Sequence, residues 1–93
     1  MTYELGFHPD ALIEWHRLDA SVRAMFKKKL VERLEHPRVA AAQLIGQPNR
    51  FKIKLRAVGY CLVYEVSHAQ VIVVVVAVGK RERSAVYKAA AGR

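Results

Sequence analysis

Residues Val71 to Val78 set eight apolar side chains in a row with no polar interruption, seven of them β-branched. Such a run reads as a strand, and one that is apolar on both faces belongs at the centre of a sheet. It falls well short of the roughly 18–20 residues that a membrane-crossing helix needs. A chain built around such a strand must be layered, with further strands beside it and helices packed on the sheet. With 93 residues there is room for one core, so residues 1–93 are taken as a single domain.

The flanking sequence supplies those partners. Tyr3, Leu5 and Phe7 alternate with Glu4 and Gly6, the pattern of a half-buried strand. His8-Pro9-Asp10 breaks it, with Pro9 suited to a first helical turn and Asp10 to the positive end of the helix dipole. Leu12, Trp15 and Leu18 then recur at helical spacing, Trp15 as a core anchor. Asp19 or Ser21 caps a second helix whose Val22, Phe26, Leu30 and Leu34 step by four until His36-Pro37 stops it. Gly46 to Asn49 is loop chemistry. Phe51, Ile53 and Leu55 alternate as a strand, Gly59 marks a turn, and Tyr60 to Val66 alternates again. Ser67 to Gln70 forms a tight connection into the apolar run, which Gly79 ends and which reads as the central strand. Glu82 to Ala91 reads as a short helix. The order β-α-α-β-β-β-α predicts an α+β fold: an N-terminal strand, a helical hairpin, a mainly antiparallel sheet with its helices on one face, and a short C-terminal helix.

Charge is distributed unevenly over this framework. Residues 1–49 hold seven bases and six acids; residues 50–93 hold nine bases and two acids, which carries nearly all of the net +8. A one-sided positive field favours a polyanionic partner, either nucleic acid or an acidic protein. Cys61 is the single cysteine, so no internal disulfide forms and a reducing, cytoplasmic setting is expected. The N-terminus lacks the basic cluster and apolar stretch of a secretory signal, so neither export nor a membrane partner is expected. His8, His16, His36 and His68 are scattered without metal-binding spacing, and no metal or cofactor is expected.

Arg50, Lys52, Lys54 and Arg56 fall on even positions of one strand, so they project to the face opposite Phe51, Ile53 and Leu55. If this strand and the next bury their apolar sides in one core, a turn near Ala57-Val58 sets Lys54 opposite or nearly opposite Cys61. That open face then carries Lys52, Lys54 and Cys61, with Lys80, Arg81 and Arg83 nearby. Spacing alone is also satisfied by a solvated strand whose lysines guard an edge. Against that stands the scarcity of acids: cations held together repel one another, lowering lysine pKa values, and a phosphate backbone would relieve the repulsion. Tyr87, among the basic residues of the last helix, suits core packing or base stacking.

Phe51-Lys52-Ile53-Lys54-Leu55-Arg56, Gly59-Tyr60-Cys61-Leu62-Val63-Tyr64 and Val78-Gly79-Lys80-Arg81-Glu82-Arg83-Ser84, with Val86-Tyr87, closely resemble the RelE toxins of bacterial and archaeal toxin–antitoxin pairs. The likeness extends through Ala11-Leu12, Glu14-Trp15 and Lys27 to Leu30. It implies a microbial-ribonuclease-like fold that enters the ribosomal A site and cuts messenger RNA there without metal or cofactor. The 2′-hydroxyl attacks its own phosphate, leaving a 2′,3′-cyclic phosphate and a free 5′-hydroxyl. By the same resemblance Lys54 is the general base and Lys52 stabilises phosphate charge. Arg81 binds the scissile phosphate, and Tyr87 stacks on and orients the base. Arg50, Arg56, Lys80 and Arg83 would bind RNA. The implied partners are a RelB-like antitoxin, the ribosome with its message and rRNA, and operator DNA for a higher-order toxin–antitoxin complex.

One position departs from the family: RelE proteins carry arginine where this chain has Cys61. Loss of one transition-state phosphate contact costs about 3–4 kcal/mol, or 10²–10³ in rate, so the resemblance implies an attenuated toxin unless Arg56 or Arg83 substitutes. Two other readings stay open here: a ParE-like gyrase inhibitor of the same fold, whose relatives generally lack the Lys52, Lys54 and Arg81 set, and a non-catalytic module that binds RNA and antitoxin.

Overall fold

The computed structural model describes residues 2–82 and 85–93. Its elements follow the expected order: β1 (Glu4–Phe7), α1 (Pro9–Arg17), α2 (Ala20–Glu35), a 3-10 turn at Ala40–Ala42, β2 (Arg50–Leu55), β3 (Tyr60–Ser67), β4 (Ile72–Lys80) and α3 (Ala85–Ala91). Pro9 opens α1, and the residue before it supplies the cap: His8 Nδ1 accepts the Asp10 N–H at 3.1 Å. Asp19 occupies the N-cap position of α2, although its side chain makes no capping hydrogen bond. The short connections Leu18–Asp19 and His68–Val71 keep the hairpin and the last two strands tightly coupled.

The strand order is β1-β4-β3-β2, with β1 parallel to β4 and the other pairs antiparallel. The apolar run is thus an internal strand. It continues through Gly79 to Lys80, because Gly79 and Lys80 still pair with Cys61 and Tyr60. On one face, Trp15, Phe26 and Leu30 of the hairpin bury against Phe51, Ile53, Leu62, Tyr64, Val73, Val75 and Val78. Trp15 anchors this core as expected, its ring 5.4 Å from that of Phe7 and 6.3 Å from that of Phe26.

The helices do not share that face. Val86 and Ala90 of α3 pack on Cys61, Val63, Val76 and Ala77 on the other side of the sheet. A bulge decides which residues of β4 reach this second face: Val63 pairs with Ala77 but Tyr64 with Val75, so Val76 is surplus and the alternation of β4 reverses there. Val75 and Val78 consequently lie on the hairpin side, while Val76 and Ala77 face α3. An apolar surface on both sides needs a cover on both, and α3 provides the second.

β1 pairs only with Ile72 to Val75, which leaves the rest of that β4 edge without a strand. Two side chains occupy it instead. Glu14 Oε1 accepts the Val78 N–H at 3.2 Å, and Arg93 Nη1 donates to the Val76 carbonyl at 2.9 Å. The two close on each other through a forked pair, Nη1–Oε1 at 2.7 Å and Nη2–Oε2 at 3.0 Å, which ties the chain just beyond α3 to α1.

Val71, in the β3–β4 turn, has φ of 54°, a left-handed conformation that costs a β-branched residue about 1–2 kcal/mol. Val71→Gly is expected to raise stability by about 0.5–1 kcal/mol, since glycine adopts that angle freely but gives up more chain entropy. Thermal melting of the two proteins checks it; an unchanged or lower Tm would show that the lost side-chain packing outweighs the relieved strain.

Candidate active site

The pattern of β2 places its side chains by parity. Phe51, Ile53 and Leu55 are buried in the hairpin core, while Lys52 and Lys54 are partly exposed on the α3 face. Antiparallel pairing sets Lys54 opposite Cys61 and Lys52 opposite Val63, the register that the alternation predicts. The face is not open at Cys61, however. That residue is fully buried under α3, its Sγ 3.6 Å from the Tyr87 hydroxyl. Sequence parity identified the correct side of the sheet, but nothing local marked that side as covered.

Cys61, Arg81, Val86 and Tyr87 line a niche of about 100 Å³. Next to it, Lys52, Lys54 and Tyr87 line a wider groove of about 360 Å³ with Leu44, Ile45 and Gln47, so Tyr87 is the wall common to both spaces. On the far side of the lysines a third depression is bounded by Arg33, Val39, Ala41, Ala42 and Arg56. Lys52, Lys54 and Arg81 therefore gather around one continuous surface, with Arg56 at its margin.

The electrostatics follow from that crowding. The Lys54 ammonium is held below its ordinary pKa, chiefly by repulsion from Lys52, then by partial loss of hydration and by Arg81 and Arg56. Among the described residues, the ion pairs are those of Arg50 with Glu65 and of Arg93 with Asp10 and Glu14, so neither Lys52 nor Lys54 is neutralised by a carboxylate. Loss of hydration and the contact with Cys61 push the Tyr87 phenol up to about 12, so it stays protonated and neutral. A neutral aromatic wall beside a lysine of reduced basicity can hold a base and accept a proton beside a phosphate.

The remaining candidates divide. Arg81 is exposed, and its backbone N–H is fixed to the Gly59 carbonyl at 2.8 Å. Lys80 is exposed but pairs with Tyr60, which sets it on the hairpin side of the sheet, away from the Lys54 side. Arg50 is on the correct face yet is engaged elsewhere: its Nε lies 3.1 Å from Glu65 Oε1 and its Nη1 donates to the Ala90 carbonyl, clamping the end of α3. The register that pairs Lys54 with Cys61 also pairs Arg50 with Glu65, so that ion pair could have been read from the sequence, whereas the hold on Ala90 follows only from where α3 lies. Arg83 lies outside the described residues. Arg33, which sequence reading missed, donates to the Tyr64 hydroxyl at 2.8 Å and to the Lys52 carbonyl at 3.2 Å, bracing the lysine strand from α2. No local signal distinguishes it from the other bases of that helix.

Comparison with known proteins gives consistent results. A family model described as the ParE toxin of the type II toxin–antitoxin system parDE matches residues 5–85. The chain is 54% identical over 93 residues to the mRNA interferase toxin RelE of Escherichia coli K12, covering 100% of this chain and 98% of that one. Among solved structures, a mutant of E. coli RelE in the free state superposes with a TM-score of 0.92 at 52% identity, covering 100% of this chain and 98% of the other. RelE in the intact E. coli RelBE toxin–antitoxin complex gives 0.83 at 53% identity, covering 87% and 99%.

Proposed function

The chain belongs to the ParE-toxin family of type II toxin–antitoxin systems, and we propose that it is an mRNA endoribonuclease of the RelE kind. The observation that carries the reading is the union of Lys52, Lys54 and Arg81 around Tyr87, with neither lysine met by a carboxylate among the described residues. The 54% identity to RelE across the whole chain supports it. In the proposed reaction the neutral Lys54 amine takes the proton from a 2′-hydroxyl, whose oxygen attacks the adjacent phosphorus. The 5′-oxygen leaves, taking a proton from solvent to become a free 5′-hydroxyl, and a 2′,3′-cyclic phosphate remains. Lys52 and Arg81 balance charge building on the phosphate, and Tyr87 stacks on the base beside it. Cys61 contributes neither a charge nor a fork of donors, so the enzyme works below the rate that an arginine there would support.

The expected substrate is message in the ribosomal A site. Primer extension on a message held in stalled ribosomes, with and without the protein, tests this: a new stop within the A-site codon is the expected result, and its absence overturns the reading. The family name favours one alternative, inhibition of DNA gyrase, for which loss of supercoiling with the message left intact is the distinguishing result. A RelB-like antitoxin is the expected partner, masking the basic surface and contacting α3. The cytoplasm is the setting where such a target and partner meet; among the described residues no helix is long and apolar enough to cross a membrane.

The lowered basicity of Lys54 has a kinetic consequence. Protonated Lys54 cannot accept a proton, so cleavage is expected to rise with pH and level off above its pKa. Lys52 is the largest cause of the lowering, and Lys52→Met should therefore move the rising limb to higher pH as well as slow the reaction. Single-turnover rates across neutral and alkaline pH check this. A limb that stays in place would remove Lys54 as the base.

A further inference from the structure

Ile45 is fully exposed, more so than any other large apolar side chain among the described residues. A lone surface isoleucine needs no explanation, but this one is held in place by its surroundings. The Gln47 N–H donates to the Leu44 carbonyl at 3.1 Å, closing a turn in which Gly46 has φ of +72°, the left-handed third position of a type II turn. On one side of it, Leu44 is buried beneath α3 and its N–H bonds the Arg50 carbonyl at 2.9 Å. On the other, the Arg50 N–H returns to the Gln47 carbonyl at 3.3 Å. The turn is thereby fastened to the first residue of β2, and Ile45 stands on it uncovered.

What it stands beside is the groove of about 360 Å³ that also holds Lys52, Lys54 and Tyr87. The lining separates by chemistry: Leu44, Ile45 and the Tyr87 ring are apolar and can flank a flat heterocycle, while the two ammonium groups suit an adjacent phosphate. The volume lies within the range of about 300–1,000 Å³ that small ligands occupy. An acidic peptide would satisfy the lysines but would leave the aliphatic and aromatic walls with nothing flat to pack on. We propose that Ile45 forms one wall of a nucleobase subsite, contacting a base of the bound RNA next to the lysine pair and contributing to its affinity without contacting phosphate. The proposal rests on the ribonuclease reading and deepens it.

The test measures equilibrium binding to ribosomes programmed with a message carrying a 2′-deoxy nucleotide at the cut position, which cannot be cleaved by 2′-hydroxyl attack. Ile45→Ser is expected to weaken binding about tenfold, whereas Ile45→Leu keeps it. The slope of log affinity against log salt should stay the same, since no phosphate contact is lost. With abasic nucleotides in the A-site codon, the difference between the unaltered protein and Ile45→Ser should vanish. Equal affinities on the normal codon would overturn the proposal. So would a difference that persists on the abasic message, which would assign Ile45 to a ribosomal surface or another protein. If the unaltered protein neither binds nor cuts message on ribosomes, the parent reading fails and the proposal falls with it.

Discussion

Lys54→Met is expected to lower cleavage of ribosome-bound message by about 10²–10⁴, the range typical of losing a positioned general base, with little change in Tm. The two halves of this expectation have separate origins. Lys54 stands on the β2 parity that stays out of the hairpin core, so its truncation leaves the packing of Phe51, Ile53 and Leu55 intact. Its removal also relieves repulsion with Lys52, Arg81 and Arg56, so stability should hold or rise slightly. A fall in rate accompanied by a large fall in Tm would indicate a structural role, and a rate within a factor of a few of the unaltered enzyme would remove Lys54 from the mechanism. Lys54→Arg separates charge from basicity: a guanidinium keeps the positive charge but cannot give up its proton. Arginine there should therefore be nearly as slow as methionine.

Cys61→Arg is expected to act in the opposite direction, raising cleavage by about 10²–10³ if one transition-state phosphate contact is restored. The structure adds a cost that the sequence did not disclose. Cys61 is fully buried against Val86, Ala90 and Tyr87, so a longer side chain must emerge past Tyr87 to reach the Lys54–Arg81 surface. Forcing volume into a packed site costs about 1–3 kcal/mol, which for a domain of this size lowers Tm by roughly 4–8 °C per kcal/mol. The new cation should also depress the Lys54 pKa further and move the pH–rate limb downward. Cys61→Leu controls for the steric effect: it should lose stability without gaining rate. Equal cleavage by Cys61→Arg and the unaltered chain, measured on programmed ribosomes, would show that position 61 does not limit this enzyme.

Much of this site could be read from alternation alone. Lysines on even positions and apolar residues on odd ones fixed the face of β2, and the short turn fixed Lys54 against Cys61. Three features had no such marker. The bulge at Val76 falls within a run of near-identical valines, where a shift in alternation changes no polar residue and leaves no trace. The placement of α3 on the second face depends on an alanine-rich helix with too few large side chains to show a buried stripe. The Glu14–Arg93 pair joins residues 79 positions apart, and only the three-dimensional fold brings them together.

That surplus valine matters beyond packing. β4 passes from the hairpin core to the strand end that leads into Arg81, and the side each residue takes after Val76 is counted from it. Shortening the strand by that one residue would only close the bulge, since Val75 and Ala77 already pair with the adjacent Tyr64 and Val63. One residue more, inserted after it, would turn Gly79 and Lys80 over together, bringing an ammonium group against α3 where glycine now lets Val86 approach. The spacing along β4 is thus indexed like a gear with one extra tooth: a deletion can be taken up by that tooth, whereas an insertion beyond it would put the strand end that leads into Arg81 out of phase.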